Sequence, residues 1–377
     1  MIDGTVELLS RLVAIDSVNP SLVAGGAGER EIAAFLAGWA RDSGLEVTML
    51  EATPGRPSVV VRARGSGTGR DLLLCGHLDT VTVEGMRDPH AARIDGDRLY
   101  GRGAFDMKCG VVAALLACRE AASRHLAGDV LVAAVADEEH ASLGIQEVLE
   151  TVWADAAIVT EPTDLELIVA HKGFIWSEVE VRGRAAHGSR PHLGVDAIAK
   201  AGPILTAVAE LDRTLEARVD PVLGRGSVHA STIRGGEELS SYPALCTIGI
   251  ERRTLPGETA DVIASELGAL LEACRAQDPD LQASQRTVLV REPFQVAPDA
   301  PIVELTREVA AGLLGAPPAI GGAPFWADTA FIAAAGIPTV MFGPTGEGAH
   351  AAQEWVSISS TEAVARVLAA VAERFCV

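Results

Sequence analysis

The chain has 377 residues, of which 48% are hydrophobic, and a formal net charge of −20. This length exceeds what one hydrophobic core usually serves, so two domains are expected, and the apolar content excludes a mainly disordered chain. A strongly acidic surface repels phosphate backbones, which argues against nucleic acid as a partner.

The N-terminal stretch and the cysteines bear on the compartment in which the protein works. The sequence MIDGTVELLSRLV has early acidic residues and no apolar core of the signal-peptide type. The longest apolar run, near Val111–Cys118, is too short to span a bilayer. The six cysteines include no Cys-x-x-Cys pair, which argues against a disulfide framework or a structural zinc knuckle. We therefore expect a cytoplasmic protein that does not contact membranes.

The first part of the chain alternates between helical and strand patterns. Apolar spacing predicts, in chain order, helices at Thr5–Val13 and Glu29–Ser43, strands at Glu46–Leu50, Ser58–Ala63 and Asp71–Cys75, a hairpin at Arg93–Leu99, a helix at Lys108–His125, a strand at Asp129–Ala136, a helix at Leu143–Val152 and a strand at Ala156–Thr160. Such alternation indicates an α/β domain with a largely parallel sheet.

The pattern changes near Phe174 and returns near residue 291. Between these points the predicted elements are strand Ile175–Arg182, helix Asp196–Leu211, strands Gly226–Arg234 and Ala244–Arg252, helix Ala260–Arg275 and strand Thr287–Arg291. This is the split βαβ order of a ferredoxin-like domain. We therefore predict an inserted domain at 174–290 and a first domain made of 1–173 and 291–377. The returning segment has predicted helices at Pro301–Leu314 and Thr329–Ala335, a strand at Thr339–Phe342, and a capping box, Ser359–Glu362, that opens the last helix.

The stretch Leu72–Thr80, with the sequence LLLCGHLDT, carries the first candidate functional residues. Catalytic groups of α/β sheets gather where strands end, so His77 is expected at the carboxyl end of a buried strand. Asp79 is placed to orient the imidazole, as carboxylates do for metal-bound histidines. The alternative interpretation of so short a motif is a buried histidine followed by a surface aspartate.

Four further candidates follow strand-like runs or lie in glycine-rich loops. Asp106 lies in GRGAFDMKCG, Glu139 and Glu161 come after predicted strands, and His350 follows GPTGEGA. With His77 they make five carboxylate and imidazole ligands, donors that suit zinc, cobalt or manganese. A single site would need three protein ligands, whereas five can hold two cations if the short carboxylate of Asp106 bridges them.

The adjacent acids Glu138 and Glu139 require separate roles. Their side chains diverge, so Glu139 can face the metals while Glu138 faces a water molecule. We assign Glu138 as the general base that takes the proton of that water and returns it to a leaving amine. The alternative is that Asp137–Glu139 is simply a solvated acidic loop.

Seven motifs in this order give the chain a resemblance that runs nearly from end to end. It resembles the dinuclear zinc peptidase and amidohydrolase family that includes acetylornithine deacetylase, succinyl-diaminopimelate desuccinylase, aminoacylase and glutamate carboxypeptidase, and it looks closest to the acetylornithine deacetylase branch. The motifs are GHLDTV (Gly76–Val81), YGRGAFDMKCG (Tyr100–Gly110), DEE (Asp137–Glu139), TEPT (Thr160–Thr163), AHGSRP (Ala186–Pro191), RTLPGE (Arg253–Glu258) and GAHAAQE (Gly348–Glu354).

The resemblance implies a three-layer αβα zinc-peptidase catalytic domain and an inserted α+β ferredoxin-like lid through which a homodimer forms. It also implies that two cations are held, most commonly Zn²⁺, with Co²⁺ or Mn²⁺ as substitutes. His77, Asp106 and Glu161 would bind one cation, and Asp106, Glu139 and His350 would bind the other.

The resemblance adds two residues of the inserted domain to the site. His187 would reach the active site of the partner subunit and stabilise the tetrahedral oxyanion. Arg253 would pair with the α-carboxylate of the substrate. The chain departs from the family at Ser240, where relatives often have an asparagine, and this leaves the contact with substrate open at that position.

These features predict a hydrolase that cleaves the amide bond of an N-acyl amino acid, with a small molecule as its partner. A dipeptidase or a glutamate-type carboxypeptidase on the same scaffold is the alternative. A non-catalytic metal-binding protein is a further one, although such proteins normally lose a ligand or the base.

Overall fold

The chain folds into two compact units, each with its own core. The structure, a computed structural model, describes residues 4–377. The first unit contains the described residues up to 169 together with 296–321 and 327–377, and the second contains 170–295 and 322–326. The second unit thus begins at 170 and its main segment ends at 295, where the sequence predicts an insertion at 174–290.

The elements up to residue 171 follow the predicted order closely. They are α1 (Thr5–Ala14), α2 (Arg30–Asp42), β1 (Glu46–Leu50), β2 (Ser58–Ala63), β3 (Leu72–His77), β4 (Arg93–Asp95), β5 (Arg98–Tyr100), α3 (Cys109–Ala122), β6 (Val130–Val135), α4 (Leu143–Leu149), β7 (Ala156–Val159) and β8 (Leu167–His171). A distorted helical turn, Ala104–Lys108, leads into α3. The strand β8 is not among the predicted elements.

The remaining elements belong to the second unit and to the segment that returns to the first. They are β9 (Gly173–Arg182), β10 (Ala186–His187), α5 (Ala197–Thr214), β11 (Val219–Asp220), β12 (Gly224–Arg225), β13 (Ser227–Gly235), β14 (Ser241–Tyr242), β15 (Leu245–Thr254), α6 (Ala260–Gln277), β16 (Gln282–Arg291) and β17 (Phe294–Gln295), followed by α7 (Pro301–Leu314), β18 (Ile320–Ala323), α8 (Thr329–Ala334), β19 (Thr339–Met341), β20 (Gly346–Glu347), β21 (Trp355–Ser357) and α9 (Ile358–Phe375).

The main sheet of the first unit runs in the order β1-β2-β6-β3-β7-β19-β8. Its four central strands, β6, β3, β7 and β19, are parallel to one another, whereas β1, β2 and β8 pair antiparallel. The sheet is therefore mixed, and the prediction of a largely parallel sheet is wrong for its outer strands. The carboxyl ends of the four central strands lie side by side, which is where ligand sites of such sheets form.

Helices cover both faces of this sheet, as the predicted three-layer α/β class requires. Leu72 and Leu74 of β3 join the core formed with α1, α2, α3 and α9, while α4 and α8 pack against each other and against sheet strands. All six residues of β3 are buried, because a strand covered on both faces has no solvent side. In α3 the residues Cys109–Cys118 are all buried for the same reason, and the helix packs against α9.

The second unit is the predicted ferredoxin-like α+β fold. Its four-stranded antiparallel sheet has the order β13-β15-β9-β16, and α5 and α6 pack on it. Along β9 the odd-numbered residues from Gly173 to Val181 are buried and the even-numbered ones are more exposed. This alternation has the period of two that a sheet with one covered face produces.

The predicted starts of two elements are wrong: β16 begins at Gln282 where the sequence predicts Thr287, and the C-terminal helix also starts earlier than predicted. The sequence suggests a capping box at Ser359–Glu362, but α9 begins at Ile358 and is capped by Ser357, whose hydroxyl accepts from the backbone N–H of Ser360. The earlier start lets β21 run directly into α9. No helix among residues 4–377 is long and apolar enough to cross a membrane.

Candidate metal centre

His77 is the last residue of β3, and its ring orientation is fixed by the backbone. The side chain is 1% exposed, and Nδ1 lies 2.9 Å from the carbonyl oxygen of Asp79. A carbonyl only accepts hydrogen bonds, so Nδ1 carries the proton and a neutral ring presents a lone pair at Nε2. That lone pair faces Oδ1 of Asp106 at 3.2 Å. Two acceptors at this distance require a proton or a cation between them.

The carboxylate of Asp79 contacts the turn that carries Glu138 and Glu139. Its oxygens accept the backbone N–H groups of these two residues at 3.0 and 3.2 Å, and they accept Nδ2 of Asn19 at 2.7 Å. The nearest carboxylate oxygen is 3.6 Å from Nδ1 of His77, so the carbonyl of Asp79 holds the imidazole more closely than its carboxylate does.

Asp106 lies between the two histidines. Its Oδ1 is 3.2 Å from Nε2 of His77 and its Oδ2 is 3.3 Å from Nε2 of His350. Each oxygen of one carboxylate therefore serves a different imidazole. Glu139 is 3.1 Å from Nε2 of His350, and Glu161 is 3.9 Å from Nε2 of His77.

These positions follow from the sheet. His77 ends β3, Glu139 lies four residues after β6, and Glu161 lies two residues after β7, so three neighbouring parallel strands deliver three of the side chains. His350 lies in the loop after β19 and β20 and has a positive φ of 61°. The five candidate ligands thus come together at one edge of the first unit.

Electrostatics at the centre show an excess of carboxylates. Burial, together with the charges of Asp106 and Glu139, raises the pKa of Glu161 to about 8. Although burial opposes it, hydrogen bonds from His350 and His77 hold the pKa of Asp106 below its usual range. Hydrogen bonds to Asp106 and Glu139 raise the pKa of His350 to about 10. A divalent cation at this place would compensate the charge of the carboxylates and replace the proton on His350.

The donor set fits divalent cations. Ligand-type atoms of His77, Glu138 and Glu161 lie within 4.8 Å of one another, as do those of His77, Asp106 and Glu139. Oε1 of Glu139 is buried without a hydrogen-bond partner, which is costly unless a ligand satisfies it. Imidazole and carboxylate donors are those that zinc and its neighbours in the first transition series accept.

Glu354 supports the centre and was not predicted as a site residue. Its carboxylate is buried and accepts four hydrogen bonds: from Arg102 at 2.6 Å and from the backbone N–H groups of Gly103, Phe105 and Asp106 at 3.1, 2.9 and 3.0 Å. The pairing of β21 with β5 brings Glu354 to this loop. The only sequence sign of it is its place at the end of the GAHAAQE motif.

The two remaining predicted site residues, His187 and Arg253, lie in the second unit. His187 is exposed on β10, and its Nδ1 is 2.8 Å from Oγ of Ser189. Arg253 lies on β15, pairs with Glu251 at 2.8 Å and stacks on the ring of Phe174 at 5.1 Å from the ring centre.

Sequence comparison places the chain in a known class of proteins. The profile of peptidase family M20/M25/M40 matches residues 73–374, so the chain belongs to that family and is one of its hydrolases. Acetylornithine deacetylase of Vibrio atlanticus (strain LGP32) is 31% identical over 287 residues, which are 73% of this chain and 74% of that protein.

Solved structures show the same fold. The aminopeptidase PepT of Bacillus cereus ATCC 10987 superposes with a TM-score of 0.81 at 19% identity, over 100% of this chain and 99% of that one. The YXEP protein of Bacillus subtilis, described as a dinuclear metal binding peptidase of the M20 family, has a TM-score of 0.75 at 17% identity, over 99% of this chain and 97% of that one.

Proposed function

We propose that this protein is a two-metal hydrolase that cleaves the amide bond of an N-acyl amino acid. The observation that carries the proposal is that the two oxygens of Asp106 face two different histidines, at 3.2 and 3.3 Å. This is the arrangement expected of a bridging carboxylate. The similarity to acetylornithine deacetylase favours an N-acyl amino acid as substrate.

Five side chains would hold the cations. His77, Asp106 and Glu161 would hold one, and Asp106, Glu139 and His350 the other. We propose Zn²⁺, with Co²⁺ and Mn²⁺ as the ions that this donor set also accepts. Bound there, the two cations would polarise the substrate carbonyl and make water a better nucleophile.

Glu138 would act as the general base. Burial raises the pKa of this carboxyl well above its usual range, and Glu161 and Asp328 add to the shift. A carboxyl with a raised pKa can take a proton from the attacking water and return it to the nitrogen of the leaving amine. The backbone N–H of Glu138 donates a hydrogen bond to the carboxylate of Asp79 at 3.0 Å, and this bond fixes the backbone position from which the side chain extends.

Two residues of the second unit would complete the reaction. His187 would donate a hydrogen bond to the developing oxyanion, contributed from a partner subunit in a homodimer. Arg253 would bind the α-carboxylate of the substrate through its planar fork of donors. His187 is exposed, and among the described residues Arg253 has one acidic partner, Glu251, which a substrate carboxylate would have to displace or share.

A dipeptidase or carboxypeptidase activity is the second candidate. The fold similarity to the aminopeptidase PepT favours it, because a peptide bond presents the same carbonyl and leaving amine. A non-catalytic metal-binding role fits less well, since the base position and all five ligand positions are filled.

A substrate panel after metal reconstitution tests the proposal. The chain, freed of metal and then supplied with Zn²⁺, Co²⁺ or Mn²⁺, should release amine from N-acetylornithine or another N-acyl amino acid and lose that activity with a chelator. Faster turnover of dipeptides would identify the peptidase instead. No amide hydrolysis with any of the three ions would refute both.

A further inference from the structure

A buried polar cluster lies behind the turn that carries Glu138 and Glu139. Its members are Asn19, Glu29, Arg56, Asp79 and Asp137, which are 0–7% exposed. Of these, only Asp79 was a predicted site residue. Asn19 and Glu29 lie between α1 and α2, Arg56 lies between β1 and β2, and Asp137 follows β6. Among the described residues, the side chains of these four form no hydrogen bond with the side chain of a candidate ligand.

Asp79 and Asn19 hold the amide side of the turn. The carboxylate of Asp79 accepts the backbone N–H groups of both Glu138 and Glu139, at 3.0 and 3.2 Å. Nδ2 of Asn19 lies 2.7 Å from Oδ2 of Asp79 and 3.0 Å from Oδ1 of Asp137. The side-chain amide of Asn19 therefore joins the carboxylate of Asp79 to that of Asp137, the residue with which the turn begins.

Asp137 begins the turn in a conformation that needs support. Its φ is +67°, which is unusual for a residue with a side chain. Nη2 of Arg56 donates to its Oδ1 at 2.7 Å, the backbone N–H of Ala141 donates to its Oδ2 at 3.2 Å, and its own N–H donates to Glu29 at 3.2 Å. The strained residue is held from both its backbone and its side chain.

Arg56 and Glu29 anchor the whole cluster. Two parallel bonds of 2.7 Å join the guanidinium to the carboxylate of Glu29, and both side chains are buried. Buried ion pairs stabilise a fold weakly, because desolvation offsets their attraction. The ion pair of Arg56 and Glu29 therefore contributes little stability for the cost of burying two charges. Its place behind Glu138 and Glu139 indicates that it fixes the geometry of these two acids.

We propose that Arg56, Glu29 and Asn19 are positioning residues that set the backbone of Glu138 and Glu139, so that one carboxylate serves as base and its neighbour as metal ligand. The inference rests on the proposed function for the role of Glu138. The positioning of Glu139 does not depend on the proposed function, because cation binding through Glu139 can be measured without turnover.

The test compares Arg56→Met with a matched control. Arg56→Met should lower kcat about 10–100-fold and leave KM within about twofold, the size seen when supports of metal ligands are lost. It should also change the visible absorption spectrum of the Co²⁺-loaded protein. Arg64→Met, which removes an equally bidentate but exposed pair with Glu46, should change neither.

Two further variants separate positioning from folding. Glu29→Gln combined with Arg56→Met removes both charges of the Glu29–Arg56 pair, while the carboxylate of Asp137 still lacks its partner. The double variant should therefore recover part of the stability towards urea that Arg56→Met loses, without recovering kcat. If Arg56→Met does not fold, Asn19→Ala takes its place as the test, because it adds no charge. Asn19→Ala should lower kcat and alter the Co²⁺ spectrum. Recovery of kcat with stability in the double variant, or wild-type kcat and spectrum in Asn19→Ala, would overturn the inference.

The two proposals fail in different ways. If the wild-type protein hydrolyses no amide, the proposed function is wrong, yet an altered Co²⁺ spectrum in Arg56→Met would still support the positioning of Glu139. If the wild-type protein is active and either Asn19→Ala or a folded Arg56→Met matches it in kcat and spectrum, only the positioning inference is wrong.

Discussion

Asp106 is shared by both parts of the candidate centre, because each of its oxygens faces a different histidine. Glu138 differs from the five proposed ligands in that it is assigned chemistry rather than coordination. The two roles can be separated, because of the two adjacent acids Glu138 and Glu139 only Glu139 forms an ion pair with His350 among the described residues.

Glu138→Gln should retain both cations and lose nearly all turnover. The amide cannot accept the proton of the attacking water, and loss of a general base typically lowers kcat about 10²–10⁴-fold. Metal content by atomic absorption and kcat on the preferred substrate are the two measurements. Retained turnover in a variant with full metal content would contradict the assignment of the base.

Glu354→Gln should weaken cation binding without removing a ligand. The amide replaces an acceptor oxygen with a donor group that opposes Arg102 or the N–H groups of Phe105 and Asp106. We expect cation affinity to fall about 10–100-fold, measured by competition with a chelator. Glu347→Gln, on an exposed position of β20, is the control and should bind cations as the wild type does.

The sequence suggested the candidate ligands and Asp79, but not the other residues that support them. His77, Glu139 and Glu161 could be named because each follows an apolar run that is typical of a strand. Glu354 and Arg56 could not, since their partners lie as many as 252 and 81 residues away and become neighbours only through tertiary structure. The roles of all these residues stay predictions until the variants are measured.

At the scale of elements, close packing between α3 and the end of β7 sets the distance between Asp106 and Glu161. A Cβ on Gly110, in the first turn of α3, would collide with the carbonyl oxygen of Thr160. Gly110 therefore allows the helix to approach the strand end, and both ligand-bearing segments continue from this contact.

Gly110→Ala should destabilise the protein by about 1–3 kcal/mol, the usual cost of overpacking a core, and should also lower cation affinity. Gly38→Ala is the control, because Gly38 lies in α2 with open space where a Cβ would stand and should gain about 0.5–1 kcal/mol from better helix propensity. Urea unfolding of the metal-free forms measures the stability of both variants, and competition with a chelator measures their cation affinity. Equal stability of Gly110→Ala and wild type would show that the approach of α3 to the end of β7 does not require glycine at this position.

Most elements were predictable because their apolar periodicity is local. Strand direction was not, since parallel and antiparallel pairing depends on how distant segments connect, and β1, β2 and β8 pair antiparallel. The start of α9 was misplaced because several hydroxyl residues lie together at Ser357–Thr361, and only the structure shows that Ser357 makes the cap.

At the scale of the whole molecule, stability should depend on pH in opposite directions with and without cations. In the metal-free protein the pKa of Glu161 is raised from 4.5 to about 8 and that of His350 from 6.5 to about 10. Raised pKa values give stability that is present below the unfolded value and is lost as pH rises through the folded value. The metal-free protein should thus lose stability from pH 4.5, the unfolded pKa of Glu161, up to about pH 10, the folded pKa of His350.

Cation binding requires deprotonated ligands, so the stabilisation that cations give should grow over the same range. Thermal unfolding at pH 6 and at pH 9, with chelator and with a divalent cation, measures both trends. The difference in Tm between the protein with cation and the protein with chelator should be larger at pH 9 than at pH 6. A difference that shrinks with rising pH would show that these carboxyl and imidazole groups do not bind the cation.

The two halves of the centre differ in their access to solvent. The side chains of His77 and Glu161 are 1% and 5% exposed, whereas that of His350 is 56% exposed. Ions in the two places should therefore escape at unequal rates, and brief dialysis against a chelator should yield a half-filled species with one ion per chain. Such a species would allow each ion's contribution to be assayed separately in the unmutated protein.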